Sequence, residues 1–267
     1  MSLLAIRSPS TKSFLSSNSH GKLICLHMNG IELSISELLE VFPRYRVALV
    51  VARGLAIPDQ SPTPIANYVE ETEARIAQER GDRPVSEIAE VAAWRQAYKG
   101  FGIRKTSYRP SVERLFRHVQ RHGVLPRINA LVDLYNAVSL AFRMPAGADD
   151  LDKLAPPLAF RFSRPDDSFI SLGDAERRDD PPKSGEVVYA DQGHVLCRRW
   201  NWYQDDRSAT SLATRNAVIT VQSFADAGEH DVEAATETLA LLLSEHLEAT
   251  VDWAVADGDN PVISAGG

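Results

Sequence analysis

The chemistry this chain could do is concentrated in two stretches. Between Leu125 and Leu154 lies a helix-length run, Ile128 to Phe142, whose one acidic or basic side chain is Asp133. At about 100° per residue, Leu131, Leu134, Tyr135, Val138 and Phe142 share one face, and Asn129, Asp133 and Asn136 share the opposite one. Val132, Ala137, Leu140 and Ala141 fill the flanks, so little of this helix is suited to water. A lone carboxylate buried there must be hydrogen-bonded or it neutralises. The three polar residues therefore either tie neighbouring loops down or line a site. The second stretch is Arg198-Arg-Trp-Asn-Trp-Tyr203. Its two arginines suit phosphate or carboxylate, and its rings suit stacking on a base. The competing reading is a strand end whose tryptophans pack in the core while the arginines sit outside.

Two further groupings carry less. Asp149, Asp150 and Asp152 follow Gly147 on an expected loop. A divalent cation would need oxygen donors beyond adjacent aspartates, and such a group more often caps a turn and pairs outward. No metal is expected. His194 and Cys197 lie three apart, so on a strand they point to opposite faces, and a buried strand cysteine fits better than a nucleophile. The chain has no Gly-x-Ser-x-Gly elbow, Walker loop or dinucleotide fingerprint. Nothing in it calls for ATP or any other cofactor.

Local pattern indicates the elements that must hold these residues. Ser34 or Ser36 caps a short helix through Val41, and Arg46 to Ala52 is a buried-strand run. Pro62 to Arg80 and Pro84 to Lys99 read as helices, each with proline near its start and a glycine just beyond its end. Pro110 to Arg121 opens a third helix that stops at Gly123, and Ile128 to Phe142 is the fourth. Strand candidates then follow at 158–162, 169–172, 186–190, 194–198 and 217–221, separated by Pro, Asp and Gly clusters. A last amphipathic helix runs from Val232 to Ala254. Helices first and strands later give an α+β class: N-terminal helices on a β-sandwich-like sheet region, closed by a C-terminal helix.

Size and composition bound the rest. A chain of 267 residues, 44% hydrophobic and 24% charged, can bury a substantial core. No apolar run approaches the ~20 residues that span a bilayer, and two cysteines without zinc-like spacing fit a reduced, cytoplasmic setting. Residues 1 to about 30, rich in Ser, Thr and Pro between Ser8 and Ser19, read as a disordered or non-native extension, with Met28 as an alternative start. Residues 31 to 267 read as a single domain. The net charge of −7 argues against indiscriminate nucleic-acid binding. Yet Lys99, Arg104, Lys105, Arg109, Arg114, Arg117, Arg121 and Arg127 are opposed locally by Glu113 alone. That is either one basic face for a phosphate backbone or a solvated amphipathic helix.

The run Pro126 to Asn136, then Pro145 and Asp150-Leu-Asp-Lys-Leu154, resembles the editing domain of the phenylalanyl-tRNA synthetase β subunit. The likeness continues in order through Gly185-Glu-Val-Val-Tyr-Ala-Asp191, Val195-Leu196 and Thr214-Arg-Asn216, over a core of about residues 107 to 222. Free-standing relatives of that domain also share Cys197-Arg-Arg-Trp-Asn-Trp202.

The resemblance implies a site that holds water against the ester of a wrongly charged tRNA, with no covalent nucleophile and no metal. Asn129, Asp133 and Asn136 would form its polar wall, Asn201 a donor, and Thr214 and Asn216 would orient water. Arg127, Asp150, Arg198, Arg199, Trp200 and Trp202 would bind. The partner implied is tRNA or aminoacyl-tRNA, not DNA or membrane.

Departures from the family pattern matter. Its histidine falls on Gly147, its tyrosine-reading glutamate on or near Thr220, and its glycine-rich turn on Arg199 to Tyr203. Without the acidic reader, tyrosine specificity loses its basis. Two functions follow: a trans-acting deacylase for a mischarged tRNA, or a non-catalytic RNA- or amino-acid-binding module that kept the fold.

Overall fold

The unbroken apolar run from Val47 to Ala52 becomes the heart of a sheet. In the computed structural model, which describes residues 30–80, 83–105, 107–224 and 230–267, strand β2 (Tyr45–Arg53) is flanked on both sides. Its partners are β8 (Asn216–Phe224) and β9 (Thr250–Ala256), both antiparallel. On the far edge of β8 lies β3 (Ala146–Asp150), also antiparallel, giving the order β3-β8-β2-β9. Side chains on the two faces of this sheet have different fates. Ala48, Val50, Ala52, Ala217, Ile219 and Val221 face one way. Their small or branched shapes admit α5 (Ala130–Phe142) and α6 (Val232–His246), with α2 (Thr63–Arg80) stacked outside them. Tyr45, Gly147, Asp149, Thr220 and Gln222 share the other face by the strand register.

A second, six-stranded sheet covers part of that other face. Its order is β10 (Val262–Ala265), β1 (Ile31–Ser34), β4 (Leu158–Phe162), β5 (Val187–Ala190), β6 (Val195–Arg198) and β7 (Tyr203–Gln204). Only β1 and β4 run parallel. The two sheets meet through an aromatic cluster built on Trp200. Its ring lies 4.7 Å from Phe42, 4.8 Å from Tyr45 and 5.2 Å from Trp94, mostly edge to face. Trp94 comes from α3 (Ala89–Gly100), and the space beside the cluster is roofed by α4 (Ser111–His122).

The class is α+β, and several boundaries depart from the sequence pattern. The helix expected over Pro84 to Lys99 is a short 3-10 turn, Val85–Glu87, followed by α3. The terminal helix stops at His246, and the last residues of the expected helix, from Thr250 on, belong to β9. Glu248 takes a left-handed backbone (φ 60) that ends the helix, and β-branched Thr250 and Val251 then favour a strand. The segment 169–172 makes only single bridges, Ile170 to Asp179 and Ser171 to Asp205. Asp149 and Asp150 lie on an edge strand, where a loop was expected. Pairing with β8 there overrides the poor strand propensity of Gly147-Ala-Asp-Asp150. The extension expected over residues 1 to 30 lies, but for Gly30, outside the described residues. No helix among the described residues is long and apolar enough to cross a membrane.

Candidate functional site

A cleft of about 400 Å³ opens where β3 and β8 turn away from the second sheet. Val132, Tyr135 and Asn136 of α5 form one wall, and Leu196 to Gln204 the opposite one. Ser111, Arg114, Leu115 and His118 of α4 stand at the rim, with Gly147, Asp149, Thr220 and Gln222 below. The middle helix and the arginine–tryptophan strand therefore do enclose a hollow.

The three polar residues of the helix divide between the two roles open to them. Asn129 is the helix cap, its side chain accepting from the Val132 amide at 3.0 Å. Asp133, 3% exposed, accepts from the Ser61 hydroxyl at 2.7 Å and the Ile128 amide at 2.8 Å, tying two loops to the helix. Neither lines the cleft. Asn136 does, and its amide makes no hydrogen bond among the described residues.

The Arg198–Tyr203 segment divides likewise. Arg198, 1% exposed, pairs with Glu186 through Nε and Nη2 at 3.1 and 3.0 Å, and with Asp180 through Nη1. Arg199 lies over the rings of Tyr108 (3.9 Å) and Trp202 (4.5 Å), with Glu186 at 3.3 Å. Both guanidiniums are committed inside the protein. Trp200, Asn201 and Trp202 face the cleft. Arg199 and Trp200 both adopt left-handed backbones, φ 47 and 69, a conformation that costs a non-glycine residue about 1–2 kcal/mol. Burial of the Trp200 ring and its amide's bond to the Val187 carbonyl at 2.7 Å hold this turn.

The turn aims Asn201. Its Oδ1 accepts from the Tyr98 hydroxyl at 3.0 Å and its Nδ2 donates to Gln222 Oε1 at 3.2 Å. The remaining Asn201 N–H is thereby fixed in direction. Thr214, Asn216, Asp150 and Arg127 lie away from the cleft. Thr214 donates to Asp150 at 2.7 Å, Asn216 donates to Asp152 at 3.1 Å, and Arg127 pairs with Glu73 at 2.7 Å. The aspartates 149, 150 and 152 engage separate partners, and no group of three metal-ligating side chains converges among the described residues.

Several cleft residues carry weak sequence signals. Asp149 is the most unusual of them. It is 5% exposed, accepts from Ser208 at 2.6 Å and Gln204 at 3.0 Å, and has no cationic partner among the described residues. Burial pushes its carboxyl up to about 7. The two hydrogen bonds oppose that, while the charges of Asp205 and Asp191 add to it. Tyr189 stacks on Phe160 at 4.5 Å, and its buried hydroxyl has no partner among the described residues. Cys197 also lines the cleft, and burial followed by the Asp149 charge raises its thiol far above the ordinary range, so it is no thiolate nucleophile. His194 faces Asp191 (3.6 Å) and Asp205 (3.9 Å), apart from this wall. Tyr189 sits inside a quoted motif, and Gln222 follows Thr220 at strand period. Gln204, Arg114 and His118 give no such signal.

Of the eight basic residues counted between Lys99 and Arg127, several serve the fold. Glu113, fully buried, gathers Arg95 (2.6 Å), Arg109 (3.1 Å) and Arg117 (2.8 Å). Arg114 donates to the Trp202 carbonyl at 2.7 Å from the rim. Lys99, Arg104, Lys105 and Arg121 make no ion pair among the described residues, and all four are exposed.

An α+β protein with two sheets and a cleft between them is the class that these observations define. Residues 93–248 match the B3/4 domain, and the chain belongs to that family. Among solved structures, it is similar to an N-terminal fragment of the phenylalanyl-tRNA synthetase β subunit from Pyrococcus horikoshii. That likeness covers 82% of this chain at 12% identity, with a TM-score of 0.44. It covers 50% of the fragment, so the chain spans about half that fragment's length. No curated protein matches.

Proposed function

We propose that this protein is a free-standing editing-type domain that binds aminoacyl-tRNA and hydrolyses the ester of a mischarged one in trans. The observation that carries this reading is the cleft of about 400 Å³, which has room for an amino acid. Its polar walls come from opposite elements, Asn136 from α5 and Asn201 from the strained turn. In this reading the aminoacyl group enters the cleft. The Asn201 N–H, already oriented by Tyr98 and Gln222, meets the oxyanion that forms when water attacks the ester carbonyl. The products are a free amino acid and the terminal ribose hydroxyl of the tRNA. Arg114 at the rim, together with the exposed Lys99, Arg104, Lys105 and Arg121, supplies the cations offered to the RNA backbone. The reaction belongs to the cytoplasm, where aminoacyl-tRNA is met.

The cleft's bulky rings favour a small or narrow amino acid. Trp202 and Tyr203 stand where glycines leave room in the resembled domain. A deacylation assay over a panel of mischarged tRNAs tests the reading, and release of no amino acid above the uncatalysed rate would dispose of it. Gly147 and Thr220, in place of a histidine and a glutamate, favour a second reading, a binding module without turnover. Salt-sensitive tRNA binding with no hydrolysis is its signature.

A further inference from the structure

The cleft holds a carboxylate that the hydrolytic reading does not use. Asp149 is buried, yet both hydrogen bonds it accepts fall on Oδ1, from Ser208 and from Gln204. Oδ2 has no partner among the described residues, and the residue lines the cleft. Buried carboxylates are ordinarily matched by a cation. The nearby Arg207 is already taken, holding Asp205 through Nε and Nη2. A second polar group of the cleft, from β5 of the other sheet, is equally unmatched among the described residues, the buried Tyr189 hydroxyl. The cleft thus offers two acceptors and no positive charge inside, while the guanidinium of Arg114 stands at the mouth.

We propose that Asp149, with Tyr189 beside it, is the specificity-determining group of the cleft and binds the α-ammonium of an aminoacyl ligand. This rests on the reading of the cleft as an aminoacyl site and adds its polarity. The ammonium points inward to Asp149 Oδ2 and donates a second hydrogen to Tyr189 Oη. The side chain lies between Val132 of α5 and Leu196 on the opposite wall, and the ester end points out toward Arg114 of α4. An amine without its proton, or a ligand without the amine, leaves the carboxylate unmatched.

The test uses the full chain, with the amides of L-alanine, L-leucine and L-phenylalanine as probes against propanamide, 4-methylpentanamide and 3-phenylpropanamide. Calorimetry at neutral pH is expected to show at least one amino-acid amide binding roughly thirtyfold or more tightly than its desamino counterpart, as for a hydrogen bond to a charged group. Asp149→Asn keeps an acceptor for Ser208 and Gln204 and should abolish that preference. Tyr189→Phe keeps the stack on Phe160 and should reduce it severalfold. Equal binding of amides and desamino amides, or binding of neither, overturns the proposal. So does an Asp149→Asn variant that keeps the amine preference, or one that loses kcat at unchanged KM, the mark of a water-activating base. Amine-dependent binding without any deacylation supports this proposal while the hydrolytic reading fails. Equal deacylation of aminoacyl- and N-acetyl-aminoacyl-tRNA does the reverse.

Discussion

Gly147 and Thr220 sit directly opposite one another in the β3–β8 ladder, and both line the cleft. The resemblance puts the family's histidine at Gly147 and its glutamate at or near Thr220, so the first departure falls on this cross-strand pair and the second on or beside it. Paired residues share a face and lie within side-chain reach. The space the histidine would need is still open, for a Cβ placed on Gly147 meets no atom within 4 Å. Gly147→His should therefore fold with a stability within about 0.5 kcal/mol of wild type. Its imidazole would occupy part of the cleft and weaken binding of the larger amino-acid amides first. Chemical denaturation and calorimetry with the same probes read both effects. A collapse of stability would mean the cleft is not open at this point.

Asp149 makes stability depend on pH in an unusual direction. Its carboxyl titrates near 7 in the folded protein and near 3.8 when unfolded. Below 3.8 both states are protonated and the group costs nothing. As pH rises from 3.8 toward 7 the unfolded chain ionises this acid while the folded protein keeps its proton, so stability falls by up to about 4 kcal/mol and levels off above 7. Asp149→Asn removes this dependence. Its melting temperature, compared with wild type, should rise between pH 4 and pH 7 and level off above that. A difference that is flat between pH 4 and pH 7 would rule out a raised carboxyl.

A second carboxylate on the same face extends the argument. Thr220 is buried on β8, one rung from the strand position opposite Asp149. Thr220→Glu adds a like charge that opposes ionisation of its neighbour. The upper end of the pH range over which stability is lost should move above 7, and selectivity for an amine should strengthen with the added negative charge. An upper end that stays in place would show the two side chains do not share the cleft.

Most elements were legible in the sequence, because apolar periodicity and proline or glycine punctuation report local structure directly. Asn129, expected on the polar wall of the site, instead caps the helix. The cleft was legible only in outline. Asp149 looked like part of a surface turn because Gly-Ala-Asp-Asp has no strand character, and only pairing with a strand some 70 residues later, Asn216–Phe224, makes it one. The arginine pair looked like a ligand anchor because sequence does not show that Glu186 and Asp180 close on Arg198. Tertiary pairing of charges decides which cations remain for a partner, and spacing along a chain does not encode it.

Asp133→Ala should destabilise the fold and leave the cleft's chemistry little changed. The carboxylate holds the Ser61 hydroxyl and the Ile128 amide, and its loss strands both donors near the start of α5. Two such hydrogen bonds to a charged group make the cost about 2–4 kcal/mol. Asp133→Asn, which keeps an acceptor, should recover part of it. Melting temperatures of the two variants check this. An unchanged melting point for Asp133→Ala would contradict the burial of this side chain.

Glu113 is the residue on which the cleft's rim depends. It is fully buried beneath Arg95, Arg109 and Arg117, and burial alone would raise its carboxyl. Hydrogen bonds from Arg95 and Arg117 outweigh that and hold it below the ordinary range. A depressed carboxyl contributes stability that is fully present above its unfolded value of 4.5 and is lost as pH falls through the folded value. Glu113→Gln leaves three arginines crowded without a counter-charge. Since each guanidinium is about one-third exposed, solvent screens part of the penalty, and a loss of about 2–4 kcal/mol is expected at pH 7. The gap to wild type should close in acid, where wild type loses the same contribution. Because Glu113 sits in the first turn of α4, two residues from Ser111 and one from Arg114, the same substitution should loosen the rim and weaken amide binding before the protein unfolds. Denaturation at pH 7 and pH 4, with calorimetry at pH 7, separates these effects. Full stability with weakened binding would assign Glu113 to the ligand, and loss of both assigns it to the support of α4.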